Sequence, residues 1–431
     1  MFANLAIFAE LRAQEVPAII APNTATVTEY NSQTIPPPLN PVADSNLHSA
    51  GDGRNEFSSE PRRFQYALQI AMRGVYDDNI DISDSHRVSD YYFTIEPQLT
   101  LGFGNISGRE GNYLRFDYLP ALSLFVDHSE DDSFQNVINL QGQHAFARLT
   151  VTMGEEIAVL DGTDLRSVSN QTTPGSRPNL DVATRTKFQT YATRFNASYD
   201  LSGKTFLSSG FDSLVTDYSS SSLFSSGDVA GNLFLNYRYS DKLIVGLGGT
   251  GGYNFVQKPN PDETFEQANA RLTYQASGKI SLNFSAGVEF RQFQNNSRGT
   301  YVSPVFELTA NYELSDATKI ALAGTRRTYN SALGGQDFAE TNISASLRQR
   351  FLQRFYLAVT GGYANSDYFN TISTVLANRT DNYYFIEPAI DFSITRFWTF
   401  GAYYLHRRND SSAQSFGFDD NQVGIRTALV F

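Results

Sequence analysis

The sequence predicts an all-β chain: a transmembrane, antiparallel, up-and-down β-barrel of about 18 strands, with about 16 as the nearest alternative. Three observations predict it. Period-two alternation of apolar and polar residues recurs from Arg62 to Phe431 with no helical segment between repeats. The turns separating these segments are alternately short and long. The chain also ends on a two-faced strand: Val423, Ile425, Leu429 and Phe431 are apolar, and Gly424, Arg426 and Ala428 are small or polar. Thr427 is the one lapse on the apolar face.

Composition permits this reading. The chain has 431 residues, 41% hydrophobic, with a mean hydropathy of −0.32. No uncharged apolar run approaches the roughly 18 residues of a membrane-crossing helix. A barrel needs none, because its strands interleave lipid-facing with lumen-facing residues. Phe 33 and Tyr 24 against Trp 1 and Met 3 suit strands and interfacial girdles. Zero cysteines removes thiol chemistry, disulfides and Cys-ligated metals. A net charge of −12 argues against nucleic acid as a partner.

Three regions follow in order. Residues 1–13 read as a remnant or truncated signal peptide, with a short apolar stretch Leu5–Phe8 and no basic start. Residues 14–61, rich in Pro, Asn, Ser and Ala, read as a disordered arm on the periplasmic side. Residues 62–431 read as the barrel. Its first strand sets Phe64, Tyr66, Leu68, Ile70 and Met72 against Gln65, Ala67, Gln69, Ala71 and Arg73. The cleanest strand sets Ile280, Leu282, Phe284, Ala286, Val288 and Phe290 against Ser281, Asn283, Ser285, Gly287, Glu289 and Arg291. Near the end, Ile386, Pro388, Ile390, Phe392 and Ile394 oppose Glu387, Ala389, Asp391 and Ser393.

Short turns are expected near Asn105–Gly111, Ala147, Ser202-Gly203, Ser240-Asp241, Ser277-Gly278, Ser315-Asp316, Gln353 and Arg396. Long loops are expected at Asp77–Arg87, Asp127–Ser133, Gly162–Thr186, Ser219–Ser226, Gln257–Glu263, Gln294–Gly299, Asn330–Asp337, Asn365–Arg379 and Asn409–Ser415. Gly162–Thr186 is the candidate to fold into the lumen. Pro97, Pro120, Pro304 and Pro388 share the apolar phase and should mark bulges or bends. Glu155 falls on the apolar face of Val151, Met153, Ile157 and Val159, which suggests a bulge or register slip there.

The terminal set Val423, Ile425, Leu429 and Phe431 looks like the C-terminal assembly signal of a bacterial outer-membrane barrel. Further segments resemble the beta-barrel porin 2 family. They are Tyr76-Asp77-Asp78-Asn79-Ile80, Ile95-Glu96-Pro97, Arg379-Thr380-Asp381-Asn382, Tyr403-Tyr404 with Arg407-Arg408-Asn409-Asp410-Ser411, and Asp420-Asn421. The resemblance covers residues 62–431 through short motifs. It implies a bacterial outer-membrane barrel with the N-terminal arm and C-terminus on the periplasmic side. The partners it implies are outer-membrane lipid and lipopolysaccharide, the barrel assembly machinery and possible polysaccharide-export components.

Little in the sequence points to catalysis or a cofactor. Gly246-Leu247-Gly248-Gly249-Thr250-Gly251 matches dinucleotide-binding spacing, but it sits inside an alternating strand with no following helix. His48, His86, His128, His144 and His406 have no metal-ligand spacing. Asp127-His128-Ser129-Glu130-Asp131-Asp132 could hold Ca²⁺, though a solvated acidic loop is the stronger reading.

The expected lumen wall carries Arg73, Arg115, Arg194, Arg238, Arg271, Arg291, Arg348, Arg350 and Arg426. Against them stand Glu96, Asp117, Glu156, Asp212, Glu289, Glu307, Glu313, Glu387 and Asp391. This balance predicts no single-sign field. With small and polar residues between, the wall should be wet. The expected function is a non-enzymatic, porin-like channel for hydrophilic solutes or exported polysaccharide. A non-conducting structural or adhesive barrel is the alternative.

Overall fold

The computed structural model describes residues 64–106, 110–163, 179–294, 299–372, 375 and 377–431. Both regions expected before the barrel, 1–13 and 14–61, lie outside them. Eighteen strands follow in chain order: β1 (Gln65–Asp77), β2 (Asp90–Asn105), β3 (Glu110–Phe125), β4 (Ser133–Ala145), β5 (Leu149–Leu160), β6 (Phe188–Asp200), β7 (Thr205–Tyr218), β8 (Ser226–Ser240) and β9 (Leu243–Val256). The rest are β10 (Glu263–Ser277), β11 (Ile280–Phe293), β12 (Tyr301–Ser315), β13 (Thr318–Asn330), β14 (Gln336–Phe351), β15 (Phe355–Asn370), β16 (Thr380–Ser393), β17 (Trp398–Ser411) and β18 (Phe418–Val430). Each pairs antiparallel with its sequence neighbours, and β18 pairs with β1. Closure leaves no open edge, the condition for crossing a bilayer with strands. This is a transmembrane up-and-down barrel of 18 strands rather than 16.

The pleat sorts side chains onto two walls. On β1, Tyr66, Leu68 and Met72 are exposed outward, while Gln65, Gln69 and Asp77 are buried inward. The outward set forms an apolar belt. Tyr199, Tyr237, Tyr239, Tyr274, Phe351, Trp398 and Phe431 gird it at the short-turn end. Thr427 is outward as well, and its polarity is satisfied: Trp398 Nε1 donates to Thr427 Oγ1 at 2.8 Å, and Thr427 Oγ1 donates to the Thr399 carbonyl at 2.9 Å. Phe431 follows the last strand and completes its pairing, its N–H donating to the Leu68 carbonyl at 2.8 Å.

Serine builds several of the short turns. Ser202, Ser240, Ser277 and Ser315 each use Oγ to accept the N–H two residues on, at 3.2, 3.3, 3.2 and 3.2 Å. Register shifts sit at such turns, at Arg238/Ser240, Gln275/Ser277 and Glu313/Ser315, and at Gly104/Asn105. The bulges expected at prolines are therefore absent. Pro97 and Pro120 fall opposite one another in an interrupted stretch of the β2–β3 ladder, with the same register on both sides. Pro388 lies in a similar gap between β16 and β17. The β12–β13 ladder stops at Phe306, short of Pro304. A missing donor costs the ladder a bond, and here it does so without inserting a residue.

Glu155 also needs no bulge. The β4–β5 and β5–β6 registers run unshifted through it. It points outward and accepts a 2.8 Å hydrogen bond from Thr193 Oγ1 on the neighbouring strand. A second correction concerns strand ends. β15 runs to Asn370 and β17 to Ser411, beyond the expected loop starts at Asn365 and Asn409.

The seam between first and last strands is bolted at the long-loop end. The Asp78 carboxylate accepts from the Asn421 backbone and side-chain amides, both at 2.8 Å. Gln422 Nε2 donates to Asp77 Oδ2 at 2.9 Å, and Arg407 is ion-paired with Asp420. Two of the short motifs, 76–80 and 420–421, thus meet in space from the first and last strands of the barrel.

Candidate functional site: the barrel lumen

All the charged residues expected on the inner wall have their side chains on the inward phase of their strands. Most are engaged there. Arg73 pairs with Glu96 at 2.7 Å, Arg115 with Asp117 at 2.6 Å, and Arg426 with Asp391 at 2.7 Å. Arg238 pairs with Asp200 at 2.7 Å. Arg271 Nε donates to Asn236 Oδ1 at 2.7 Å, and its guanidinium lies 4.3 Å from the Phe234 ring centre. Arg291 bridges Glu263 at 2.6 Å and Glu289 at 3.0 Å. Glu307 takes Arg327 at 2.7 Å. Arg348 sits over the Tyr356 ring at 5.5 Å, and Arg350 reaches the same tyrosine. Glu387 faces Arg426.

The wall is not the uniformly polar surface expected. Val75, Tyr92, Tyr383, Phe385, Tyr403, Leu405 and Phe418 project inward from β1, β2 and β16–β18 and pack as one apolar cluster. Facing glycines make room for the rings. A Cβ on Gly424 would lie 2.3 Å from Tyr403, its cross-strand partner. Gly248 of the rejected dinucleotide-like stretch has the same role, since its Cβ would lie 2.5 Å from Phe234. That stretch runs inside β9.

Residues 179–186, the described stretch before β6, enter this lumen. Leu180 belongs to the apolar cluster. The Asp181 carboxylate accepts from Ser331 Oγ at 2.8 Å and from the Ala332 N–H at 2.6 Å. Those two residues lie between β13 and β14, nearly diametrically opposite β5. Arg379, just before β16, donates to the carbonyls of Leu180 at 2.6 Å and Asp181 at 2.8 Å, and to Asp381 Oδ1 at 3.0 Å. The Tyr368 and Phe416 rings flank its guanidinium at 4.2 and 3.6 Å. Burial pushes the Asp181 carboxyl above its ordinary range, and Arg379 opposes that shift. Other loops join this roof. The Phe224 N–H donates to the Ala332 carbonyl at 2.8 Å, and the Gly335 N–H to Asn260 Oδ1 at 2.7 Å.

Below the roof, against β6–β14, lies a cavity of about 230 Å³. Asp181, Arg194, Asp212, Asp228, Arg291 and Arg327 are among its charged lining. At the short-turn end, inward Asn311, Glu313 and Lys319 are exposed, so the lumen widens there. The sequence reading missed Asp228, Glu263, Arg327, Glu340, Arg379 and Arg407. Gly227 and Gly231 blur the phase around Asp228, and the polar run Thr325–Asn330 hides that of Arg327. Arg379 and Arg407 stood in quoted motifs whose contacts only the fold reveals. These six are three acids and three arginines; among the charged lining of the cavity alone, acids outnumber arginines by five to three.

The acidic loop 127–132 is tied to the strands and loop beside it. Asp132 Oδ1 accepts the Phe125 N–H at 2.7 Å, and Asp131 pairs with Arg185 at 3.1 Å. His128 Nδ1 lies 3.2 Å from Asp90 Oδ2, and that hydrogen bond raises the imidazole above its ordinary value.

No family model matches the chain, and no curated protein matches it. The resemblance to the beta-barrel porin 2 family, with its exopolysaccharide association, gains no support from these comparisons. Similar solved structures include a BenF-like porin from Pseudomonas fluorescens, at 13% identity and TM-score 0.44, over 85% of this chain and 99% of that one. OpdK from Pseudomonas aeruginosa gives 12% and 0.42, over 85% and 99%. OccAB4 from Acinetobacter baumannii gives 8% and 0.41, over 86% and 100%. The barrel assignment itself rests on the strand registers.

Proposed function

We propose that the chain is a porin-like channel of the bacterial outer membrane for small hydrophilic solutes, narrowed by the β5–β6 segment. The carrying observation is the polar cavity left open beneath Leu180 and Asp181 inside a closed barrel too wide for side chains alone to fill. In this reading the short turns and the C-terminus face the periplasm, and the outer wall meets outer-membrane lipid and lipopolysaccharide. Val423, Ile425, Leu429 and Phe431 address the barrel to its assembly machinery.

The second reading, a non-conducting structural barrel, is favoured by the roof contacts that span the mouth. Planar-bilayer recording separates the two, using the parent and a variant lacking residues 165–183. Step conductance in the parent supports the channel. Conductance in the variant alone makes the segment a closed gate. Silence in both, with folding verified by heat-modifiable gel mobility, leaves the structural reading. Orientation has its own check: cysteines at Ser222 and Ser412 should react with an impermeant label on cells, and one at Ser277 should not.

A further inference from the structure

Among the charged side chains around the cavity, acids outnumber arginines. Asp181, Asp212, Asp228, Glu289 and Glu340 line it, opposed by Arg194, Arg291 and Arg327. Two of these guanidinium groups are already committed, Arg291 to Glu263 and Glu289, and Arg327 to Glu307. Glu263 and Glu307 are two further acids behind the same wall. Arg194 stands opposite Asp212 across β6 and β7. Arg379 at the roof brings Asp381 with it.

Asp228 differs from the other acids. It is half-buried on the inward phase of β8 and has no hydrogen-bond or ion-pair partner among the described residues. Asp212 repels it, and Arg291, Arg327 and Arg194 attract it, without a direct bond. Its cross-strand neighbour on β9 is Asn254. The Asn254 Nδ2 donates to Glu263 Oε2 at 3.4 Å, while its Oδ1 is buried with no donor. An open carboxylate and an orphaned amide oxygen thus sit side by side on adjacent strands. Both only accept hydrogen bonds.

Two acceptors among charged groups in which acids outnumber arginines call for a ligand that donates and carries positive charge. A narrow, low-dielectric passage magnifies that preference. We propose that the lumen is cation-selective, and that Asp228 with Asn254 forms its binding step for a solute's ammonium or guanidinium group. This deepens the channel reading and rests on it.

The test is the reversal potential of the reconstituted protein in a KCl gradient at pH 8. The expected result is K⁺ preferred over Cl⁻, with the permeability ratio falling about twofold in Asp228→Asn and unchanged in Glu313→Gln at the wide end. Liposomes carrying the parent should admit arginine faster than glutamate, and Asp228→Asn should narrow that difference. If Asp228→Asn does not fold, the parent's own ion preference decides. Conductance with no preference, or with Cl⁻ preferred, overturns the inference and leaves the channel standing. Silence in both the parent and the 165–183 deletion removes the channel and the inference together.

Discussion

The two halves of the lumen are built for different tasks. Against β16–β18, β1 and β2, inward Tyr383, Phe385, Tyr403, Leu405 and Phe418 form an apolar core that Leu180 joins. Against β6–β14, acids and arginines line an open cavity. Both halves share one barrel and one strand geometry. They differ in what their inward positions carry and in how closely those side chains pack. A wide barrel can thus be packed along one side and open along the other. The packed side also anchors the segment that covers the open side.

The contrast predicts a split between stability and permeation. Phe385→Ala should destabilise the barrel by about 3–5 kcal/mol through the cavity it leaves. Asp228→Asn should stay within about 0.5 kcal/mol of the parent while changing ion preference. Denaturant unfolding in detergent micelles measures both, and equal costs would erase the distinction between the halves.

Arg379→Ala tests the link between the halves. It leaves Asp381 buried without its guanidinium and cuts both bonds to the crossing segment. The expected cost is about 3–5 kcal/mol. Single-channel conductance should rise, since the cover over the cavity is freed. A stability loss with unchanged conductance would mean that Arg379 serves the wall alone.

Gly424→Val probes the packed half from its glycine side. The added side chain would strike Tyr403, which must shift at a cost of about 1–3 kcal/mol. Adding Tyr403→Ala should recover part of that loss, and plain additivity of the two changes would deny the contact.

The smallest expected effect lies outside both halves. His128 is raised by its bond to Asp90, so the folded loop holds a proton more tightly than the unfolded chain. The stabilisation is complete below the ordinary imidazole value of about 6.5 and disappears as pH rises through the elevated folded value. Histidine resonances followed by NMR should place the His128 midpoint above that of an unfolded peptide. Asp90→Asn should bring it down, and an unmoved midpoint would show that the pair does not form.

Some of this was legible in the sequence and some was not. The barrel, its turn alternation and the inward phase of Arg73, Glu289, Arg291 and Arg426 follow from period-two patterning. That pattern is local and survives wherever one face meets lipid. Thr427 and Glu155 looked like lapses because their partners, Trp398 and Thr193, come from neighbouring strands. The prolines were legible as missing donors, yet the fold absorbed them as gaps in the ladder. What the tertiary structure alone decided is which inward side chains meet. Asp181 finds Ser331, Asp78 finds Asn421, and Arg379 finds Leu180 across distances that no local period encodes. The division of the lumen into packed and open halves depends on those meetings, because closing the ring brings together strands that are remote in the chain.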